Sequence, residues 1–324
     1  MTATPRPFRF LVQSYAATSP DDWREQARRA EAHGYESFHL ADHYIGPGPA
    51  LASTGHPVQV LAAIPAMAVA AEATSTIRIG CRVLCIDYHQ PVVLAKELAT
   101  IGWFAGGRLD IGLGAGWLGA EYEAMGIPFD RAGIRIDRLA ETIELVRAFC
   151  AGGALDIQGK HVYATGFDAI PVPPEAPRIM VGGGAPRVLR LAGSTADTVS
   201  INFDNRAGRI GPEGLASGTA EGTAEKIGWI REGAGDRFDE VELEIAAYFT
   251  FVTDDRDGTL NAMAPMFGLS PDQFAEHPHA LVGGIDEIVD ILVERRERYG
   301  ISSVTVGGDV MDAFAPVVAR LAGT

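Results

Sequence analysis

Two polar side chains, Asp42 and His43, stand at the end of a strand that is predicted over residues 36–42. A carboxylate and an imidazole at a strand end can position a ligand and exchange a proton with it, because histidine titrates near neutral pH. His43 is therefore a candidate acid or base, although a hydrogen-bonded loop histidine would show the same pattern. A further charged residue, Arg82, lies inside the otherwise apolar segment CRVLC. Because burying an unpaired guanidinium is costly, Arg82 either faces an anionic ligand or carboxylate or points outward between helices, and we favour the outward orientation.

Three alternating glycines, Gly112, Gly114 and Gly116, stand in the stretch LDIGLGAGWLGAEY. They do not form a dinucleotide fingerprint, since its third glycine is expected where this chain has Trp117, and since no long helix follows. Alternate residues of a strand share a face, so these glycines leave one face bare. Either a planar ring approaches that face, or the strand packs tightly against bulky neighbours.

A second glycine stretch, Gly182, Gly183 and Gly184, is followed by APRVLRLAG, which is predicted to be a helix. A glycine turn before a helix presents free backbone N–H groups to an anion, and Arg187 adds positive charge. This turn is our first candidate for a phosphate site, and a glycine-rich loop without a ligand stays the alternative. The stretch Gly307–Asp309 ranks second because it has no basic partner and Asp309 would repel phosphate.

The remaining polar residues are interpreted as structural. His277 and His279 are predicted to lie in a surface loop. Glu242 and Glu244 alternate on a strand, and a solvated or helix-paired face explains them better than an acid/base pair. The chain contains no G-x-S-x-G, H-E-x-x-H or P-loop motif, so neither a hydrolase triad nor a metal site is expected.

Composition narrows the class of protein. The chain has 324 residues, of which 47% are hydrophobic, and a formal net charge of −15. This charge disfavours a general binder of nucleic acid or anionic membranes, which needs clustered Lys and Arg. No leader or membrane-spanning run is recognised, and three sparse cysteines are typical of a reducing cytoplasm. Cys81 and Cys85 lack a matching Cys/His pair, so we expect them to be packed in the core.

The elements that must position these residues alternate between strand and helix along the chain. The second helix is predicted over residues 58–73. Eight strands, each followed by a helix, predict a (β/α)₈ TIM barrel within one domain, 1–324, rather than an open doubly wound sheet. Inserted loops are expected after the fourth helix and the seventh strand. The predicted strands begin near residues 8, 36, 77, 109, 178, 198, 241 and 302.

Three blocks of the chain resemble the bacterial-luciferase-like family. They are LADHY, GRLDIGLGAGWLGAEYEAMGIPF and PRIMVGGGAPRVLRLAG, and the resemblance spans roughly residues 8–310. The family contains flavin-dependent monooxygenases and oxidoreductases that use the deazaflavin coenzyme F420. Locally, the chain is most similar to actinobacterial members presumed to use the deazaflavin.

The resemblance implies a ring bound at the carboxy-terminal mouth of the barrel. His43 would exchange a proton there, and a non-prolyl cis peptide near Arg82–Val83 would back the ring. Trp117 and Asn202 would lie on the substrate side. The resemblance implies contacts to the cofactor from Asp42, Arg82, Val83, Gly114, Ala115, Gly116, Gly182, Gly183, Gly184 and Arg187.

Two departures from the family pattern refine the expected reaction. Trp117 stands where some deazaflavin-dependent dehydrogenases carry a glutamate, which disfavours sugar-phosphate oxidation and favours a hydrophobic carbonyl, enone or heteroaromatic substrate. Asp42 stands where luciferases usually have histidine. The resemblance therefore implies an F420-dependent oxidoreductase, with an FMN-dependent two-component monooxygenase as the alternative. It also implies a homodimer and a separate reductase or dehydrogenase that supplies reduced cofactor, and a basic rim would suit the oligoglutamate tail of F420.

Overall fold

The computed structural model describes residues 5–324 and contains a closed barrel of eight parallel strands. Around the barrel the order is β1, β2, β3, β4, β7, β8, β9 and β12, and β12 pairs with β1 to close it. This confirms the predicted (β/α)₈ architecture. The strands are Arg9–Ser14 (β1), Ser37–Leu40 (β2), Arg78–Cys85 (β3), Leu109–Gly114 (β4), Gly153–Gln158 (β5), Tyr163–Ala169 (β6), Arg178–Gly183 (β7), Thr198–Ile201 (β8), Glu242–Ala246 (β9), Phe249–Val252 (β10), Ala280–Gly283 (β11) and Ile301–Gly307 (β12).

Helices cover the outside of the barrel, and nearby capping residues determine where the first of them begins. At the first helix, the Ser19 hydroxyl accepts a hydrogen bond from the Asp22 backbone N–H at 3.0 Å, and Trp23 is buried against the barrel. The helices are Pro20–Ala32 (α1), Pro49–Ala52 (α2), Ala63–Ala73 (α3), Pro91–Phe104 (α4), Gly119–Met125 (α5), Ala132–Ala151 (α6), Pro186–Thr195 (α7), Pro212–Ala216 (α8), Ala220–Ala234 (α9), Arg256–Met263 (α10), Pro271–Ala275 (α11), Ile285–Tyr299 (α12) and Met311–Leu321 (α13).

The predicted start of the second long helix at residue 58 is wrong, because α3 begins at Ala63. A helix from 58 would place Pro65 in its interior, where proline removes a hydrogen bond and clashes with the preceding turn. Starting at Ala63 puts Pro65 in the first turn, where its missing N–H is not needed. Residues 58–62 instead form part of a loop at the barrel mouth.

Both insertions occur where they were predicted. After α6 the chain forms an antiparallel hairpin of β5 and β6, whose turn is held by Glu141 through the backbone N–H groups of His161 (2.6 Å) and Val162 (2.8 Å). After β9 it forms a two-stranded parallel sheet of β10 and β11. This second insertion has its own apolar cluster, formed by Leu260, Ala264, Phe274, Ala280 and Val282.

The interpretation of Glu242 and Glu244 as solvated or helix-paired is wrong. Both are buried: Glu242 pairs with Arg9, and Glu244 is fully enclosed and pairs with Arg82 at 3.1 Å. Residues on the inner face of a small barrel fill its interior, and a charged residue is tolerated there only when it is paired. The sequence shows the acidic residues but not their partners.

The prediction that His277 and His279 lie on the surface is also wrong. Both are buried, because the second insertion folds back against the barrel mouth and covers them. His279 Nδ1 lies 2.7 Å from the Ala246 carbonyl oxygen, and its ring lies 4.4 Å from that of Phe203.

The packing role expected for Cys81 and Cys85 is confirmed, since both thiols are buried and unoxidised. Within residues 5–324, the structure contains no helix of the length and apolarity that crossing a membrane requires.

Candidate active site

His43 and Glu121 form the best-defined polar pair at the carboxy-terminal mouth. His43 Nδ1 lies 2.6 Å from Glu121 Oε2, and the Glu121 carboxylate is fully buried. It also accepts hydrogen bonds from the Tyr44 backbone N–H at 2.5 Å and the Tyr88 hydroxyl at 3.0 Å. Burial alone would raise the pKa of Glu121, but the hydrogen bonds, led by that of His43, outweigh it and lower the pKa. The ionised carboxylate therefore holds the proton on Nδ1 and leaves Nε2 for a ligand.

Asp42 occupies the next position on the same loop. Its Oδ2 accepts a hydrogen bond from the Cys85 backbone N–H at 2.9 Å and lies 2.8 Å from His89 Nε2. Its other oxygen, Oδ1, is buried and has no hydrogen-bond partner among the described residues. A buried carboxylate oxygen normally has a partner, so Oδ1 is an available acceptor for a bound group.

An aromatic wall stands beside His43. The His56 ring lies 4.0 Å from the His43 ring, and Trp117 lies 6.3 Å from His43 and 6.0 Å from His56, centroid to centroid. Tyr15, at the end of β1, continues the wall at 5.9 Å from His56. Burial, followed by the neighbouring His43, lowers the pKa of His56 to about 4, so His56 is neutral near pH 7. The wall favours flat, apolar ligands.

Arg82 points into the barrel, so the favoured outward orientation is wrong. Its guanidinium pairs with Glu244 and donates hydrogen bonds to Ser200 Oγ at 2.8 Å and Tyr248 Oη at 3.0 Å. Burial alone would lower the pKa of Arg82, but the Glu244 charge outweighs it and raises the pKa above the usual value. The carboxylate partner that the sequence left open as an alternative is thus Glu244, 162 residues away.

The alternating glycines of β4 pack against Val83. A Cβ atom on Gly114 would lie 2.6 Å from Val83 Cγ2, and one on Gly112 would lie 2.0 Å from the Cys81 carbonyl oxygen and 3.0 Å from Val83 Cγ1. At these two positions the tight-packing explanation therefore holds. Gly116 adopts a left-handed conformation with φ of 73° and lies against Tyr122. The non-prolyl cis peptide expected near Arg82–Val83 is confirmed at that bond.

The predicted phosphate site spans the end of β7, which contains Gly182 and Gly183, and the turn into α7, which contains Gly184. Its cap residue, Ala185, makes no side-chain capping hydrogen bond, so the first N–H groups of the helix lack side-chain partners. The turn is held close to the end of β8, because Asn202 N donates to the Gly183 carbonyl oxygen at 2.9 Å. Arg187 extends from the first turn and pairs with Asp137 at 2.5 Å.

Asn202 and Tyr248 close the opposite side of the mouth. Asn202 Nδ2 donates to Tyr248 Oη at 3.0 Å, and Lys226 Nζ donates to the Asn202 carbonyl oxygen at 2.7 Å. Burial lowers the pKa of Lys226 to about 8. These contacts fix Asn202 beside the β7 turn.

The rim of the mouth carries mixed charges and is not uniformly acidic. Arg187 is paired with Asp137, and Arg206 forms an ion pair with Asp204. Two further exposed arginines on rim loops have no carboxylate within 4.0 Å among residues 5–324; they are Arg131 and Arg209.

Sequence reasoning did not find Glu121, His56 or Tyr248. Glu121 and His43 are 78 residues apart, and no local pattern joins them. The strand predicted over residues 241–249 included Tyr248, but the chain leaves the barrel before that residue, at Ala246. The one available signal was the position of Tyr248 near a strand end, where barrel sites are built.

The barrel and the mouth geometry define a (β/α)₈ protein with a site suited to a planar ligand and a proton transfer. A profile of the luciferase-like monooxygenase family matches residues 6–298, so the chain belongs to this family, as the sequence blocks predicted.

Individual relatives agree with this assignment. An F420-dependent glucose-6-phosphate dehydrogenase of Nakamurella multipartita is 29% identical over 259 residues, which cover 78% of this chain and 70% of that protein. The solved structure of a coenzyme F420-dependent tetrahydromethanopterin reductase from Methanopyrus kandleri superposes with a TM-score of 0.75 at 19% identity, covering 98% of this chain and 99% of that one. The monooxygenase RslO1 from Streptomyces bottropensis superposes with a TM-score of 0.71 at 18% identity, covering 96% and 99%. At these identities the two superpositions show a shared fold.

Proposed function

We propose that the protein is an F420-dependent oxidoreductase that moves a hydride between the coenzyme and a small, apolar organic substrate. The observation that carries the proposal is the His43–Glu121 pair at the mouth of a luciferase-family barrel. The names of relatives such as the Nakamurella enzyme support F420 as the coenzyme. A separate reductase or dehydrogenase would supply the reduced coenzyme.

The residues present fit a deazaflavin. Asp42 Oδ1 is a buried acceptor without a partner, and a ring N–H would satisfy it. Val83, Ala115 and Gly116 are part-exposed at the mouth and can lie against a ring, while Gly114 acts by making room for Val83. The coenzyme's phosphate would sit where β7 ends and α7 begins, at Gly182, Gly183 and Gly184 with Arg187. When bound, F420 supplies two-electron hydride chemistry.

The chain itself contributes orientation and one proton. Since Glu121 holds the Nδ1 proton of His43, Nε2 is the atom that accepts or donates a proton at the mouth. Trp117 and His56 supply flat apolar surface for the substrate, and Asn202 lies across the mouth from them. The residue that follows the β4 glycines is Trp117 and not a glutamate. We therefore expect an apolar substrate rather than a sugar phosphate.

Cofactor titration tests this proposal. We expect the purified protein to bind F420 and to bind FMN weakly or not at all, as followed by quenching of cofactor fluorescence. Tight FMN binding without F420 binding would overturn the proposal and favour the FMN-dependent monooxygenase.

We expect Arg187→Ala to weaken F420 binding about 10-fold, the value of one charge-assisted hydrogen bond. Arg190→Ala is the matched control, since Arg190 lies on the same helix and pairs outward with Glu232; its binding should equal that of the wild type.

A further inference from the structure

The side chain of Tyr248 lies just beyond β9 at the mouth, and 38% of the residue is exposed. Its ring packs against those of Phe203 and His279, each at a centroid distance of 5.6 Å. Its hydroxyl is close enough to Tyr15 to raise the pKa of that buried phenol, after the larger effect of burial. Tyr15 therefore neighbours both Tyr248 and His56, and His56 in turn lies beside His43, so the two polar groups stand at the two ends of one row of rings.

Both protein partners of the Tyr248 hydroxyl are donors. Arg82 Nη1 lies 3.0 Å from Tyr248 Oη, and a guanidinium has no acceptor. Asn202 Nδ2 lies 3.0 Å from the same oxygen. The orientation of this amide is fixed, because Asn202 Oδ1 accepts the Phe203 backbone N–H at 2.8 Å. The two lone pairs of the phenol oxygen are thus used, and its own proton must point elsewhere.

No acceptor for that proton is found within residues 5–324. The phenol is also polarised, since Arg82 stays charged through its buried pair with Glu244, which Thr305 Oγ1 supports at 2.6 Å. A positive charge behind a phenol makes its O–H a stronger donor toward an oxygen that gains negative charge. Because Tyr248 is 38% exposed, this polarised donor is open to a ligand in the mouth.

We propose that Tyr248 binds the carbonyl oxygen of an α,β-unsaturated carbonyl substrate, while His43 exchanges the proton at the α-carbon. This inference rests on the proposed function and names its substrate class. In a conjugated carbonyl compound the negative charge gathers on the oxygen and the proton goes to the α-carbon, so a donor and an acid at the same mouth can each serve one of these atoms.

The step balances in the reducing direction. The β-carbon gains a hydride with its electron pair from reduced F420, which is thereby oxidised, and the C=C π electrons move to form an enolate. Tyr248 donates its hydrogen bond to the enolate oxygen, where the negative charge gathers. The α-carbon then takes the Nε2 proton of a His43 that carries protons on both ring nitrogens, which leaves His43 neutral with its Nδ1 proton still held by Glu121. The C=O bond re-forms, and the product is the saturated carbonyl compound.

The test uses 4-(dimethylamino)cinnamaldehyde, a conjugated aldehyde whose absorption band moves to longer wavelength when its oxygen accepts a hydrogen bond. The full chain is titrated with this probe, with and without F420. We expect saturable binding with a long-wavelength shift in the wild type. In Tyr248→Phe, which keeps the ring packing, the shift should be lost and binding should weaken about 3- to 10-fold, the value of one neutral hydrogen bond.

Tyr15→Phe is the control for the spectral shift alone: it removes a neighbouring phenol of the wall, so the shift at saturation is compared and the affinity is not. Its shift should equal that of the wild type. The proposal is overturned if Tyr248→Phe keeps the full shift, if Tyr15→Phe loses it instead, or if the wild type shows no saturable binding. Because the shift is read without F420 as well, its loss is distinguishable from a failure to bind the coenzyme.

Discussion

At the scale of single residues, the site depends on buried charges that hold exposed groups in place. Glu121 contacts His43 Nδ1, and Glu244 contacts the guanidinium of Arg82. In each pair the carboxylate is enclosed and the cation or imidazole is nearer to the mouth. A buried charge is stable only with a partner, so each carboxylate fixes the geometry of the group in front of it.

The first residue-scale prediction concerns Glu121→Gln. The amide keeps the shape of the side chain but removes the charge that fixes the Nδ1 proton of His43. We expect kcat for F420-linked reduction of an enone such as cyclohexenone to fall about 10- to 100-fold, within the usual range for acid–base groups, with little change in KM. Steady-state kinetics measure both constants.

Glu123→Gln is the control for this substitution, since Glu123 lies on the same short helix and is exposed. Its kinetic constants should match those of the wild type. A wild-type kcat in Glu121→Gln would show that the buried carboxylate does not position His43.

At the scale of elements, carboxylates also tie helices to the starts of strands. Glu31 on α1 accepts backbone N–H groups from Ser75 (2.8 Å), Thr76 (2.5 Å) and Ile77 (3.1 Å), just before β3. Burial alone would raise the pKa of Glu31, but these hydrogen bonds outweigh it and lower the pKa to about 2. The connection between α1 and β3 therefore depends on an ionised carboxylate.

We predict a pH-dependent stability effect for Glu31→Gln. The folded-state pKa is lower than that of the unfolded chain, so the stabilisation is present above about pH 4.5 and is lost as the pH falls toward 2. At pH 7 the variant should lose about 1 kcal/mol, a value reduced because the carboxylate is largely solvated. Denaturant unfolding at pH 7 and pH 3 measures the difference between the wild type and the variant.

Glu25→Gln on the same helix is the control, because Glu25 makes only a 4.0 Å contact with Arg28. Its unfolding free energy should follow that of the wild type at both pH values. A Glu31→Gln deficit that is equal at pH 7 and pH 3 would contradict the explanation.

The sequence predicted the elements better than it predicted their partners. The start of α1 follows from Ser19 and Pro20, which act within one turn, and the barrel follows from eight repeats of strand and helix. The same periodicity could not predict whether Arg82 points into or out of the barrel. Both faces of a barrel strand are buried, so the pattern of apolar residues does not distinguish them. The orientation of Arg82 depends on Glu244, a distant residue, and the mouth depends on Tyr248, which an insertion holds in place.

At the scale of the whole molecule, one outer face of the barrel is strongly apolar. Residues of α3 and α4 line a groove there, and two of them, Val93 and Phe104, are each more than half exposed. Large exposed apolar patches on soluble proteins mark interaction surfaces. The family resemblance implies a homodimer, and we propose that a second copy of this chain covers this face.

Val93→Glu tests the dimer. We expect the wild type to sediment as a dimer and the variant as a monomer, since a charge buried in an apolar interface is costly. Tyr163→Glu, an exposed aromatic residue on the β5–β6 hairpin, should leave the dimer intact. Sedimentation velocity distinguishes the species, and either a monomeric wild type or a dimeric Val93→Glu variant would count against this interface.

The second insertion has an evolutionary consequence. It carries its own apolar cluster, separate from the barrel core, yet its His279 supports the ring of Tyr248. Exchanges at Leu260, Ala264 and Phe274 can therefore reshape one wall of the mouth, whereas Leu281 of the same segment belongs to the barrel core and is tied to the fold. Evolution can thus change what the mouth accepts at the first three positions while the barrel packing is kept.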